Sequence, residues 1–233
     1  MADWEDLRIR IDMSSTDPST GTASPSPTVV RRRAKTRPAL IEAGLRLLAA
    51  GPVDRLSIDE IVEAAQVAKG SFFYHFADKQ SFAKEIAGAV RAEIEMTISE
   101  ANRDVTDPAQ RVARGVGQFL RIAIDCPDKA KIVLSADRQA ADPSHALNAG
   151  LRADLELGVR HGRFDTKDVD AAMLNLIGVT QLLISKVLFD RLEVAQSRDL
   201  FQSVLSFAFR GLGLSAEDAK GVLDGVAADL LHD

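Results

Sequence analysis

The chain is poor in the residues that staple a fold or perform catalysis. Among 233 residues there are one cysteine, one tryptophan, one tyrosine and four histidines. The lone Cys126 excludes a disulfide framework and any multi-cysteine zinc site, and it fits a reducing cytosol. No glycine loop of phosphate-cradling spacing occurs, and no paired-histidine metal motif. His145 and His161 fall near the two ends of one predicted helix, too far apart to share a metal. Cys126 also lacks the local signature of a nucleophile, so neither a catalytic residue nor a metal nor a cofactor is expected. No segment after residue 30 alternates as a strand would. Residues 1–13 lack the apolar core of a secretory signal. Trp4 and the alternating Leu7, Ile9 and Ile11 within them point to no function.

What is present is an ordinary globular composition, 46% apolar and 27% charged, long enough to bury a core without disulfides. The formal net charge of −5 argues at first against nucleic acid as a partner. Its distribution argues the other way. Residues 1–30 carry two cations against five anions, and 85–233 carry 17 against 23. Residues 31–84 between them carry ten cations (Arg31, Arg32, Arg33, Lys35, Arg37, Arg46, Arg55, Lys69, Lys79, Lys84) against six anions. A basic block attached to an acidic body predicts different partners for the two parts. The expected organisation is a disordered tail over 1–30, a basic domain over 31–84 and a larger domain over 85–233. The tail assignment rests on Ser14–Thr28, where 13 of 15 residues are Ser, Thr, Pro or Gly.

Punctuation from Thr36 onward predicts an all-α fold of nine or ten helices. Thr36 reads as the N-cap of a first helix over about 37–50, with Pro38 in its first turn and Gly51-Pro52 as its stop. Ser57-Ile58-Asp59-Glu60 is a capping box that opens a second helix. A short third helix covers about 68–76, and Asp78 caps a long fourth reaching about Asn102. Further starts are predicted at Asp107-Pro108, Asp142-Pro143, Asp165/Thr166, Ser197 and Ser215, with stops at Gly162 and Gly213.

The apolar stretch 171–189 has the length of a membrane span but contains Asn175, Thr180, Gln181, Ser185 and Lys186. At 100° per residue it carries two stripes. One holds Ala172, Met173, Leu176, Ile177, Leu183, Ile184 and Val187; the opposite one holds Leu174, Gly178, Leu182, Ser185 and Phe189. Two apolar faces predict a helix sandwiched in protein, in the interior or at a dimer interface, with no membrane involved. A second broad apolar face uses Leu200, Phe201, Val204, Leu205, Phe207, Ala208 and Leu212.

Function concentrates around residues 57–79. Two short helices joined by Ala65-Gln66-Val67 have the layout of a helix-turn-helix. Ala68, Phe72 and Phe76 recur at i, i+4, i+8 and predict the buried face of the third helix. The outer face is then Gly70 and Tyr74, flanked by Ser71 and Phe73, with Lys69 and His75 at the rim. Gly70 permits close approach to DNA, Ser71 and Tyr74 offer hydroxyls, and Lys79 is placed to reach phosphate. The cluster Arg31, Arg32, Arg33, Lys35 and Arg37 reads as a flexible arm that tracks phosphates or enters a minor groove.

The text from Ala39 to Lys79 resembles the DNA-binding region of the tetracycline-repressor (TetR) family of bacterial transcription regulators. It includes Ala43-Gly44-Leu45, then Leu56-Ser57-Ile58-Asp59-Glu60-Ile61-Val62, then Ala64-Ala65-Gln66-Val67-Ala68-Lys69-Gly70-Ser71-Phe72-Phe73-Tyr74-His75-Phe76 and Asp78-Lys79. The resemblance implies that Ser71, Tyr74 and His75 lie on the DNA-facing helix, that Ser57 caps near a phosphate and that Lys79 contacts the backbone. It departs at Gln66, where the family usually has glycine, and at Phe73, where a tyrosine commonly donates to phosphate. The resemblance further implies a cytoplasmic bacterial homodimer on a near-palindromic operator, released by a small-molecule effector. The two broad apolar helices would form a four-helix interface between copies. The effector pocket would lie among the fourth to eighth helices, with Cys126, Asn175, Thr180 and Gln181 as candidate polar groups. Each of those four also reads as a locally satisfied residue. A protein-binding adaptor, a DNA-binding regulator without a ligand, and an activator remain alternatives at this level.

Overall fold

The computed structural model describes residues 27–136 and 148–232, and among these there are helices and no strands. Ten α-helices follow in order: α1 Pro27–Ala50, α2 Ile58–Ala64, α3 Lys69–His75, α4 Lys79–Ala101 and α5 Pro108–Asp125. They continue with α6 Pro127–Ala136, α7 Ala149–Arg160, α8 Val169–Asp190, α9 Val194–Gly211 and α10 Ala216–Leu230. A single 3-10 turn, Val53–Arg55, separates α1 from α2.

Several boundaries follow the caps that the sequence announces. Ser57 and Glu60 exchange both hydrogen bonds of the capping box on α2, and Asp78 and Ser81 do the same on α4. These bonds hold the Glu60 and Asp78 carboxyls below the usual carboxylate range. Asp107 caps α5 ahead of Pro108, and Ser215 caps α10. Gly162 and Gly213 both adopt positive φ just past helix ends.

Other boundaries differ from expectation. The first helix starts at Pro27, not Arg37, so Thr36 is interior and Thr28 to Val30 belong to a helix. Pro27 suits the first helical position, and the Arg/Ala/Lys-rich run after it has enough helix propensity to continue through Pro38. The predicted arm is therefore helical over its whole length. The eighth helix is capped by Asp168 and begins at Val169, one turn after Asp165. The ninth begins at Val194, where Glu193 and Gln196 form a capping box, so Ser197 lies buried in its first turn. The disorder expected before residue 27, the start at Asp142-Pro143 and His145 lie outside the described residues.

Two apolar clusters form the core. The larger joins α5, α7, α8, α9 and α10 around Leu120, Leu155, Met173, Leu176, Phe201, Phe209 and Leu223. The other joins α1 to α4 around Leu40, Leu48, Ile61, Phe72, Phe82 and Ile86. It does not stop at residue 84: Ile94, Phe119, Ala123, Ile132 and Ile184 belong to it too. Gly44 is what lets α1 meet α4, because a methyl there would collide with Ile86 and Phe82. The far end of the body is clamped by Arg163, whose guanidinium binds both oxygens of Asp107 and of Asp218. That contact holds the Asp218 carboxyl down and raises the arginine.

Helix α8 packs one stripe, Ala172 to Val187, into the core. Its other apolar stripe is not covered by the described residues, so one side of the expected sandwich lies within the chain and the other is open to a second copy. Leu174, Leu182 and Phe189 are exposed on it, and Phe207 of the adjoining α9 is exposed too.

Gln66 makes the turn between α2 and α3 with φ 54°, the left-handed region. A non-glycine residue there costs on the order of 1 kcal/mol or more. A glycine there would relieve that strain, less its own larger entropy loss on folding. Gln66→Gly is therefore expected to stabilise the protein by about 0.5–1 kcal/mol, read as a higher urea midpoint at constant slope. A lower midpoint would show that the Gln66 side chain earns its place through contacts.

Candidate nucleic-acid interface and interior cavity

The second and third helices are short, seven residues each, and are held as a unit by buried rings. Phe72 is fully buried and packs edge-on against Phe82, with Phe76 on both. Ala68, expected on the buried face, is exposed because it is the N-cap of α3 and its carbonyl receives the Ser71 N–H at 2.8 Å. With Phe72 and Phe76 fixed inward, the opposite side of α3 faces solvent. Gly70, Phe73 and Tyr74 are exposed, and Ser71 and His75 are half-buried beside them. Nothing stands within 4 Å of the Cβ position at Gly70, so another molecule can approach the backbone there. The Tyr74 and His75 rings meet edge to face at 5.0 Å.

The cations around this face divide by what they touch. Lys69 pairs with Asp59 at 2.8 Å. Both groups are exposed, so the pair is worth at most about 1 kcal/mol and a phosphate can compete for it. Lys79 is committed differently: its ammonium donates to the carbonyls of Asp54 at 3.0 Å and Leu56 at 2.9 Å. It ties the start of α4 to the 3-10 turn, so any phosphate contact by Lys79 must compete with those bonds. Arg37 is likewise tied within the chain, pairing with Glu85 of α4 and lying 6.0 Å from the centre of the Phe76 ring. Arg31, Arg32, Arg33 and Lys35 lie on the first half of α1, and their side chains are outside the described residues. Ser57 spends its hydroxyl on Glu60, as acceptor from the backbone and donor to the carboxylate.

A cavity of about 150 Å³ opens between α4, α5, α7 and α8. Val112, Val116, Phe119, Leu151, Leu176 and Ile177 give it apolar walls. Of the four residues expected to supply polar groups, Thr180 and Gln181 line it. Cys126 does not, being the C-cap of α5, and Asn175 does not, being exposed on the outer side of α8. Most of the polar lining went unanticipated: Arg91, Glu95 and Asn102 on or at the end of α4, Arg111 on α5, and Asn148 and Asp154 at α7. Arg91 donates to Glu95 at 3.1 Å and to Asn148 at 2.8 Å, and Arg111 donates to Asp154 at 2.5 Å. Burial pushes the Glu95 and Asp154 carboxyls up, with the arginines pulling the other way. The available signal was position: Arg91 sits between Val90 and Ile94 on the buried stripe of α4, where a charge requires a partner. Among the described residues no group of three His, Cys, Asp or Glu side chains could hold a metal ion.

A third helix anchored by buried rings, with a small, aromatic outer face and a helical body that holds an interior cavity, has the layout of a helix-turn-helix protein. Residues 40–86 match the profile of bacterial regulatory proteins of the tetR family. In that region the chain is similar to the tetR family. The HTH-type transcriptional repressor DhaR of Mycobacterium sp. (strain GP1) is 29% identical over 79 residues. That match spans 34% of this chain and 40% of DhaR's length. In fold, the chain is similar to a tetR family transcription regulator from Shewanella sp. PV-4. There the TM-score is 0.66 and the identity 18%, over 76% of this chain and 97% of that one. It is also similar to RolR in complex with resorcinol, with a TM-score of 0.58 and 22% identity over 83% of this chain and 95% of that one.

Proposed function

We propose that the chain is a cytoplasmic, homodimeric transcriptional repressor that leaves a near-palindromic operator when a small molecule enters the cavity. The outward face of α3 carries this reading: Gly70, Ser71, Phe73 and Tyr74 stand clear of the core on a helix that Phe72 anchors. A helix so presented enters a major groove with its hydroxyls at base edges and its glycine against the backbone. The basic residues of α1 supply the sequence-independent attraction.

The exposed stripe of α8 with Phe207 supports pairing with a second copy, since unpartnered large apolar side chains on adjoining helices mark an interface. Two third helices held about 34–36 Å apart would then read successive turns of DNA. Helix α4 is the lever. Its first half packs Phe82 and Ile86 into the DNA-binding core, and its second half presents Arg91, Glu95 and Ile98 to the cavity. An effector that fits the cavity better in one tilt of α4 shifts the population toward that tilt. RolR, a structural relative crystallised with resorcinol, supports an effector of small size.

The test is a gel shift on DNA from upstream of the chain's own coding region. Tyr74→Ala should cost about 1–3 kcal/mol on the cognate site and little on random DNA. Replacing Arg31, Arg32 and Arg33 together by Ala should weaken both and lower the salt slope by about one per lost phosphate contact. Equal weakening on both DNAs by Tyr74→Ala would remove its base-reading role.

A further inference from the structure

We infer that the cavity between α4, α5, α7 and α8 selects a small, uncharged ring compound bearing two or more hydroxyl donors, about the size of a dihydroxybenzene. This rests on the effector reading above and names the chemistry that reading leaves open.

Charge comes first. Arg91 is matched by Glu95 and Arg111 by Asp154, so among the described residues the lining already balances. A carboxylate entering would stand against two carboxylates, and an ammonium against two guanidiniums. Either would have to break an ion pair inside a partly buried site, at a cost that a neutral molecule avoids.

Hydrogen bonding comes second, and it is lopsided. Asp154 receives its arginine through Oδ1 alone and Glu95 through Oε1 alone, which leaves Asp154 Oδ2 and Glu95 Oε2 unpaired. Asn102 donates its amide to the Arg111 carbonyl at 3.0 Å, which fixes the orientation of the group and leaves its Oδ1 buried without a partner. Asn102 Oδ1 thus lacks a donor, and the second oxygens of Asp154 and Glu95 have acceptor capacity to spare for a ligand. Hydroxyls supply donors without adding charge. Thr180 spends its own hydroxyl proton on the Leu176 carbonyl at 2.7 Å and can only accept from a ligand.

Size and shape come third. A space of about 150 Å³ takes one benzene-sized ring. Val112, Val116 and Ile177 offer that ring apolar contact opposite the acids.

The experiment titrates the full chain by calorimetry at neutral pH with four probes of one shape. They are 1,3-dihydroxybenzene, 1,3-dimethylbenzene, 3-hydroxybenzoate and 3-(aminomethyl)phenol. The diol is expected to bind at least about tenfold more tightly than each of the other three. Asp154→Asn should weaken the diol about tenfold. Gly115→Leu fills the cavity from α5, where a Cβ meets only Ile98 Cγ2 at an ordinary 3.6 Å, and should abolish diol binding in a chain that keeps its helical circular dichroism. A charged or hydroxyl-free probe that matches the diol, or a diol that does not bind, overturns the proposal. Operator release is measured separately on the same samples. Diol binding without release leaves the cavity chemistry standing and defeats the effector reading; release by another compound with no diol binding does the reverse.

Discussion

Phe72→Ala is expected to cost about 3–5 kcal/mol of stability and to abolish operator binding, because one ring anchors the whole reading surface. Phe72 is fully buried and makes centroid contacts of 5.4 Å with Phe82 and 5.5 Å with Phe76. Helix α3 has seven residues, far too few to hold itself in water. Its orientation therefore comes from this packing, and Phe76, already packed on Phe82, is the one other large inward ring at its end, so the void left by alanine is not readily refilled. The loss would be a large share of the 5–15 kcal/mol that typically separates folded from unfolded domains. Urea denaturation measures it, and Phe73→Ala is the control. Phe73 is 52% exposed, so its removal should leave stability within about 1 kcal/mol. A Phe72→Ala chain that unfolds at the wild-type midpoint would mean that α3 is held by something other than its rings.

The second large effect concerns assembly. Leu182 is 73% exposed on α8, with Leu174 and Phe189 along the same stripe. Leu182→Asp should convert the proposed dimer to monomer by sedimentation and leave the helical circular dichroism unchanged. Burying two aspartates at a symmetric apolar contact sets like charges against each other without partners. Operator affinity should then fall by about 100-fold or more, since the second half-site is no longer delivered at high effective concentration. If Leu182→Asp remains dimeric, the stripe is not the contact. If it is monomeric and binds the full operator as tightly as before, two-fold reading of the site is wrong.

How much of this was legible before the structure depended on how local each signal is. The Ser57–Glu60 and Asp78–Ser81 caps are written within four residues, and both helices begin where their caps say. The period of Phe72 and Phe76 gave the buried side of α3, and it failed at Ala68 because the cap residue is outside the helix proper. The start of α1 was misplaced because Thr36-Arg37-Pro38 has the look of a helix opening. A proline twelve positions in is tolerated when good helix formers precede it. At α9, glutamate in the cap position is an uncommon choice, and Ser197 four residues later gave a stronger but false signal. The cavity was legible in place and not in content. Thr180 and Gln181 stood out on an apolar helix, whereas Arg91, Arg111 and Asp154 looked like solvated charges until α4, α5 and α7 were brought together. Contacts between residues 43 and 57 positions apart carry no sequence signature of their own.

The continuity of the α1–α4 core with Phe119, Ala123, Ile132 and Ile184 limits how this chain can be recombined. A hybrid that joins the first 84 residues to a relative's body would sever that core in the second turn of α4. It would also strand Ile132 and Ala130 of α6 against foreign side chains. A workable chimera would have to carry the reading head together with α4 to at least Ile94 and the α6 surface that packs on α1. Under the proposed function, the inheritable unit of DNA specificity is therefore discontinuous along the chain: a head, half a lever and a short helix some thirty residues further on.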